Sequence, residues 1–400
     1  MVNTSILISV LINAVLSADS LSRRATCVPT SAGNAGTDDV PAITAAIKSC
    51  GGGGIIQIPS GKTYMIRSVL DFAGCVNCDF QVEGTIKVSD DTTFWNGKTA
   101  IISISAISGA QLRSLTGSGL LDGNGQAAWD LFATDSTFKR PTFVLITKAS
   151  KNIAVSNLKV KNPPNVFFSN NADSANIAYS SLTLTAVSSS SNLPKNTDGF
   201  DVGPATYTTF KNISVSNNDD CIAFKRGANY VTVDGITCKG SHGLSVGSVG
   251  GSQGVTDTVQ NIYVTNAVMG TSTKAVGIKL YPGGSFYGSA IVRNITFDGV
   301  TVSSSDYAAQ IQSCYNAANA ASCAANPSTA QLTDIYFKNF KGTTSTKYGT
   351  TIANINCPAA GTCNVYFSGW TVVPPSGTAK YLCANIDSTP GVTCSTGASG

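Results

Sequence analysis

From about residue 100 onward the chain is a succession of short β-branched runs that open in a similar way and close in Gly, Ser, Asn or Asp. Asn152-Ile-Ala-Val, Asn176-Ile-Ala-Tyr, Asn212-Ile-Ser-Val, Tyr230-Val-Thr-Val, Asn261-Ile-Tyr-Val, Asn294-Ile-Thr-Phe and Asp334-Ile-Tyr-Phe mark successive starts. Their spacings of 24, 36, 18, 31, 33 and 40 residues fit one solenoid coil plus loops of varying length. One coil cannot bury its apolar face alone, so stacked coils must share a continuous core. A β-sandwich would show tight hairpin signals at intervals of roughly 8 to 12 residues, and these are scarce. The pattern predicts an all-β chain folded as a right-handed parallel β-helix.

A solenoid needs its ends closed. Thr37-Asp38-Asp39 offers side chains that can cap a helix N-terminus, and Val40, Ile43 and Ile47 follow at helical spacing up to Cys50. This predicts a short amphipathic N-terminal capping helix, stopped by Gly51 to Gly54 and followed by strand Ile55-Ile-Gln-Ile. At the other end Cys357 to Cys394 would act as a staple. No Pro- or Ser-rich linker divides the chain, so residues 25–400 are expected to form a single catalytic domain.

Composition narrows the partners. Hydrophobic residues make up 42% of the 400, normal for a globular core, while charged residues are only 12%, against about 25% in an average soluble domain. The net charge of +4 comes from scattered Lys and Arg with no run suited to tracking phosphates, which argues against a nucleic-acid partner. Ile6 to Leu16 is apolar apart from Ser9 and Asn13, and too short to span a bilayer. It reads as the core of a signal peptide over residues 1–18, with small residues at Ser17 and Ala18 and a further processing site at Arg23-Arg24. No other segment is long and apolar enough for a membrane span, so a secreted, extracellular monomer with no membrane partner is expected.

Twelve cysteines, at Cys27, Cys50, Cys75, Cys78, Cys221, Cys238, Cys314, Cys323, Cys357, Cys363, Cys383 and Cys394, fit a disulfide framework in a secreted chain. Cys357 with Cys363 and Cys383 with Cys394 are the easiest pairs to close; connectivity is otherwise open. Zinc at Cys75-Val-Asn-Cys78 would need a second ligand pair that the sequence does not offer, so no metal or other cofactor is expected. Asn212-Ile-Ser and Asn294-Ile-Thr are acceptor sequons for glycans.

The candidate chemistry recurs at a fixed interval. Asp198, within Asn196-Thr-Asp-Gly-Phe-Asp201, precedes Asp220 by 22 residues, and Asp220 precedes the sole histidine, His242, by another 22. One coil per step would stack these side chains on one face, with Asp219 beside Asp220. Lys279 follows His242 by 37 residues, one coil with a long loop. Glycosidic hydrolysis needs one protonated carboxyl for the leaving oxygen and one ionised carboxylate for water. Crowded aspartates supply that split, because they cannot all ionise freely and at least one should rise towards the range useful for an acid. A single Asp beside Gly or Asn more often caps a turn. Three in register with the only imidazole point to a site.

These residues, in this order, resemble the polygalacturonase family, glycoside hydrolase family 28. Its Asn-Thr-Asp, Asp-Asp, Gly-His-Gly and Arg-Ile-Lys motifs stand here as Asn196-Thr197-Asp198, Asp219-Asp220, Ser241-His242-Gly243 and Gly277-Ile278-Lys279. Gly117-Ser-Gly-Leu-Leu-Asp122-Gly-Asn-Gly125 also resembles a family segment. The resemblance implies a right-handed β-helix and inverting hydrolysis of α-1,4-galacturonosyl bonds in a pectic polysaccharide. Asp219 would be the general acid, Asp198 and Asp220 would activate water, and His242 would support the acid. Asn196, Lys279 and Tyr315 would contact substrate.

The fourth motif departs from the family. Gly277 cannot grip a carboxylate as Arg does, which implies either a weaker subsite for bare galacturonate or room for a xylose branch, with Arg226 or Lys274 as alternative cations. Xylogalacturonan is therefore the expected substrate, and linear homogalacturonan the alternative. Among rivals, Gly243-Leu-Ser245-Val-Gly247 matches a serine-hydrolase elbow but lacks a later histidine and a following helix. The Gly117 to Gly125 segment resembles a phosphate loop only by its glycines, no helix being expected after it. A pectate lyase would use clustered carboxylates to hold Ca²⁺, and a non-catalytic β-helix would not need the stacked acids.

Overall fold

The computed structural model describes residues 24–400. The expected leader over 1–18, and Arg23, lie outside them. The chain winds as a right-handed parallel β-helix, and every strand pairing is parallel. One sheet has twelve strands; the other two faces merge into a nineteen-stranded system. They merge because four strands, Ala205–Ser216, Ala228–Lys239, Thr256–Gly270 and Ser289–Ser305, run round a corner from one face to the next.

The corners explain the repeated sequence starts. Asn152, Asn176, Tyr207, Tyr230, Asn261, Asn294 and Asp334 fall in one register row, all with φ between 52° and 59°. Asn and Asp tolerate this left-handed conformation because their short polar side chains bond locally. The structure corrects one member of the row: Asn212 belongs to a second corner, with Ser181, Gly235, Asn266 and Gly299, and Tyr207 holds the place first given to it. Both rows carry Asn followed by an apolar residue, so the two corners look alike in sequence. Asn212 and Asn294 are both exposed, as their sequons require.

Inside, Phe168 and Phe200 stack at 5.4 Å, and Phe200, Ile222, Leu244 and Val276 follow one another up the twelve-stranded sheet, fully buried. Burying each such side chain contributes about 1.5–3 kcal/mol. Alternation along each strand then turns every second residue out to solvent.

The capping helix forms over Val40–Cys50 with Val40, Ile43 and Ile47 buried. Its aspartates act differently from the expected cap. Asp39 accepts from Ala32 N and Met65 N, both at 2.7 Å, and Asp38 Oδ1 accepts from Arg67 N at 2.9 Å and Val40 N at 3.2 Å. They tie the helix to the next coil more than they cap it.

A second expectation is also corrected, since helix Gln126–Thr134 does follow Gly125. Its glycines answer to packing: a Cβ on Gly123 or Gly125 would come within 2.6 and 2.7 Å of the Asn162 and Pro163 backbone. Gly123 N and Gly125 N donate to the Lys161 and Asn162 carbonyls, which leaves neither of them for a phosphate.

All twelve cysteines pair with their sequence neighbours: Cys27–Cys50, Cys75–Cys78, Cys221–Cys238, Cys314–Cys323, Cys357–Cys363 and Cys383–Cys394. Cys75 and Cys78, bonded to each other, are not zinc ligands. No helix among the described residues is long and apolar enough to cross a membrane.

Candidate active site

Four neighbouring strands of the twelve-stranded sheet, Phe200–Val202, Ile222–Phe224, Leu244–Val249 and Val276–Leu280, carry the candidate chemistry. Their register pairs Phe200 with Ile222, Ile222 with Leu244, and Leu244 with Val276. Two residues before each of these stand Asp198, Asp220, His242 and Lys274, one per coil. Gly199 N donates to Asp220 O and Cys221 N to Gly243 O, so the ladder extends back towards that row. The disulfide Cys221–Cys238 anchors the chain directly after the paired aspartates.

The row floors an open cleft of about 870 Å³ lined by every residue expected at the site: Asn196, Asp198, Asp219, Asp220, His242, Lys279 and Tyr315. Asp219 Oδ1 lies 3.2 Å from His242 Nδ1. Asn196 Nδ2 donates to Asp219 Oδ2 at 3.4 Å. Asp220 is held as an anion from two sides, by Lys279 Nζ on Oδ2 at 2.5 Å and by Ser245 Oγ on Oδ1 at 2.7 Å. The Lys279 ammonium also lies 5.5 Å from the centre of the Tyr315 ring. Ser245 sits within a strand, so it orients a carboxylate and is no nucleophile elbow.

The carboxyls divide in their acidity. Burial, then the charges of Asp201 and Asp219, push Asp198 well above the usual carboxylate range, against the pull of Lys225. Burial also raises Asp201, again against Lys225. At Asp219 burial works upward, but the hydrogen bond and charge of His242 outweigh it and hold the carboxyl down at about 2. Asp220 is buried too, and Lys279 and Lys274 keep it below the usual value. The groups whose charge is disfavoured in the free cleft are therefore Asp198 and Asp201, while the exposed imidazole keeps Asp219 ionised.

Several partners were not read from sequence as site residues. Lys225 Nζ reaches Asp198 at 3.7 Å and Asp201 at 3.4 Å. Arg140 comes from a distant loop, donates to Asn196 Oδ1 at 2.7 Å, and is lowered to about 10 by burial, with Asp219 opposing. The position of Lys225, one residue after Phe224 as Lys279 is one after Ile278, was a usable signal. Nothing local marks Arg140.

The room for a branch expected at Gly277 is not there. This residue lies between Ser245 and Gln310, and a Cβ there would meet Lys274 Cδ at 2.6 Å, Lys274 Cε at 2.7 Å and Gln310 O at 2.7 Å. Lys274 fills the volume. Arg226, the other cation considered, points to Asp257 at 3.8 Å and does not line the cleft.

Asp219, Asp220 and His242 can bring one ligand atom each within 4.8 Å of one another, the one such cluster among the described residues. The donor set suits Ca²⁺ poorly. Calcium takes six to eight oxygens, yet both Asp220 oxygens are engaged and the Lys274 and Lys279 ammonium groups crowd the same space.

Comparison with known proteins agrees with this geometry. The sequence model for glycosyl hydrolases family 28 matches residues 50–396. An endo-xylogalacturonan hydrolase A of Aspergillus tubingensis is 55% identical over 381 residues, covering 95% of this chain and 93% of that protein. The crystal structure of endo-xylogalacturonan hydrolase from Aspergillus tubingensis superposes with a TM-score of 0.92, covering 94% of this chain and all of that one. A polygalacturonase from Erwinia carotovora, 17% identical with a TM-score of 0.71 over 92% of this chain and 97% of that one, shares the fold.

Proposed function

The chain belongs to glycosyl hydrolases family 28, and on that footing we propose that it is a secreted enzyme hydrolysing internal galacturonosyl bonds of xylose-branched pectin. The observation that carries the reading is one cleft in which Asp198, Asp220 and His242, each two residues ahead of strands paired in register, meet Asp219 in contact with the imidazole. Lys139, Arg140, Lys225, Lys279 and Lys347 line the same cleft, which suits a polymer carrying a carboxylate on each backbone sugar.

Asp219 is the acid in this mechanism. Its side chain is 17% exposed, against 1% for Asp220, so it is the member of the adjacent pair able to reach a leaving oxygen, and geometry comes before resting acidity in choosing an acid. In the free cleft His242 holds Asp219 ionised, and an arriving galacturonate adds negative charge beside that carboxylate and displaces water from it, both of which raise its affinity for a proton. Asp220, fixed as an anion, and Asp198 orient and deprotonate the attacking water.

Activity should survive EDTA and peak on the acid side of neutral, since a protonated and an ionised carboxyl are needed together. Product sizes followed over time on homogalacturonan and xylogalacturonan test the assignment. Early release of mid-sized saturated fragments, faster from the branched polymer, is expected. Unsaturated ultraviolet-absorbing products whose formation depends on added Ca²⁺ would make the chain a lyase, and faster cleavage of the linear polymer would remove the branched substrate.

A further inference from the structure

We propose that Lys274 is a positioning residue that stands where the family's arginine would, its stem filling the volume over Gly277 and its ammonium holding the His242 backbone so that the imidazole meets Asp219. The inference rests on the hydrolase reading of the cleft.

Three observations converge. Lys274 stands two residues before Val276, as Asp198, Asp220 and His242 stand two residues before Phe200, Ile222 and Leu244, the residues that pair up the sheet, and all four line the one cleft. Its stem lies where a side chain at 277 would have to begin, which couples two departures at one point: a residue without a side chain, and a lysine three positions earlier that needs the room. Its Nζ, in a residue only 4% exposed, donates to His242 O at 2.8 Å. Burial lowers this ammonium to about 8, with Asp220 and Asp219 resisting and Lys279 assisting. It is therefore a cation throughout the acid range in which the hydrolase works.

The role differs from the one it displaces. An arginine side chain at 277 would project into the cleft and grip substrate with a planar fork. Lys274 instead spends its ammonium on the His242 backbone carbonyl. It is too buried to serve as a broad carboxylate clamp, and it fixes the carbonyl of the residue whose ring contacts the acid. Substrate affinity should accordingly depend on it little, and turnover much.

Lys274→Met keeps most of the stem and removes the ammonium. We expect kcat on xylogalacturonan to fall about tenfold to a hundredfold, the loss that follows when a catalytic group shifts by a fraction of an ångström to an ångström, with KM within about threefold of the wild type. The chain has one histidine, so its imidazole gives a unique NMR signal that needs no substrate. The Nδ1–H resonance held by Asp219 should broaden or disappear in the variant. Should the apolar variant not fold, Lys274→Gln carries the same measurements, its shorter amide losing the charge and reaching the carbonyl poorly. A folded variant with unchanged imidazole signal and unchanged kcat overturns the proposal, as does a rise in KM alone. Absence of wild-type activity on galacturonans would overturn the hydrolase reading, while the imidazole signal would still report on Lys274.

Discussion

Asp219→Asn lowers kcat at least about a hundredfold while the β-helix stays folded: that is the expected result if this carboxyl delivers the proton, since a positioned acid contributes about 10² to 10⁴. The substitution is nearly isosteric, and the oxygens it alters contact only Asn196, His242 and the Asp220 N–H. None of these belongs to the core. Initial rates of reducing-end release, beside thermal unfolding, make the measurement. Near-normal turnover in a folded variant would move the acid to Asp198, the carboxyl that burial and its acidic neighbours already favour in the protonated form. The two outcomes separate cleanly because Asp198→Asn would then take over the larger loss.

Lys279→Met should be the most destabilising single change at the site. Lys279 and Asp220 are both deeply buried, their side chains 9% and 1% exposed. Removing one partner of a buried pair costs about 3–5 kcal/mol because the other charge is left uncompensated. The pH dependence should invert as well. In the wild type the Asp220 carboxyl is held below its ordinary value, so its contribution to stability is present above the unfolded carboxylate pKa and fades as pH falls through the folded one. Without Lys279, burial dominates and raises that carboxyl. The variant should then lose stability as pH rises above the unfolded value and be relatively better at acid pH. Adding Asp220→Asn should recover much of the loss, and chemical denaturation across pH of the two single variants and the double reads it out. Additive losses in the double variant would mean that the pair is not coupled.

The catalytic row was legible because a solenoid converts spacing into position. Asp198, Asp220 and His242 follow one another at intervals of 22 residues, and parallel register places residues one coil apart directly above one another. The same logic failed where loops vary. Lys274 lies 32 residues after His242, and that longer interval hid its equivalent place, two residues ahead of the next strand. Arg140 reaches the cleft from a loop outside the stack, with no spacing to betray it. At the corners the difficulty was degeneracy: Asn212 and Asn294 carry the same local pattern, yet they bend the chain at two different edges. The expectation at Gly277 failed for another reason. Deleting a side chain in sequence implies a vacancy only if no neighbour fills it, and the filling residue was three positions away.

Because the catalytic groups arrive on successive coils at a common position along the rung, contour length between coils is uncoupled from their separation in space. A longer loop between Thr344 and Thr351, whose Lys347 and Tyr348 line the cleft, would raise one wall without displacing Lys279. One extra residue inside Phe200–Val202 would reverse the faces beyond it, turning polar side chains into the core. Length change is therefore filtered by where it falls along each rung. The perimeter can be redrafted for polymers of different girth, while the acids and the imidazole stay indexed to the stack.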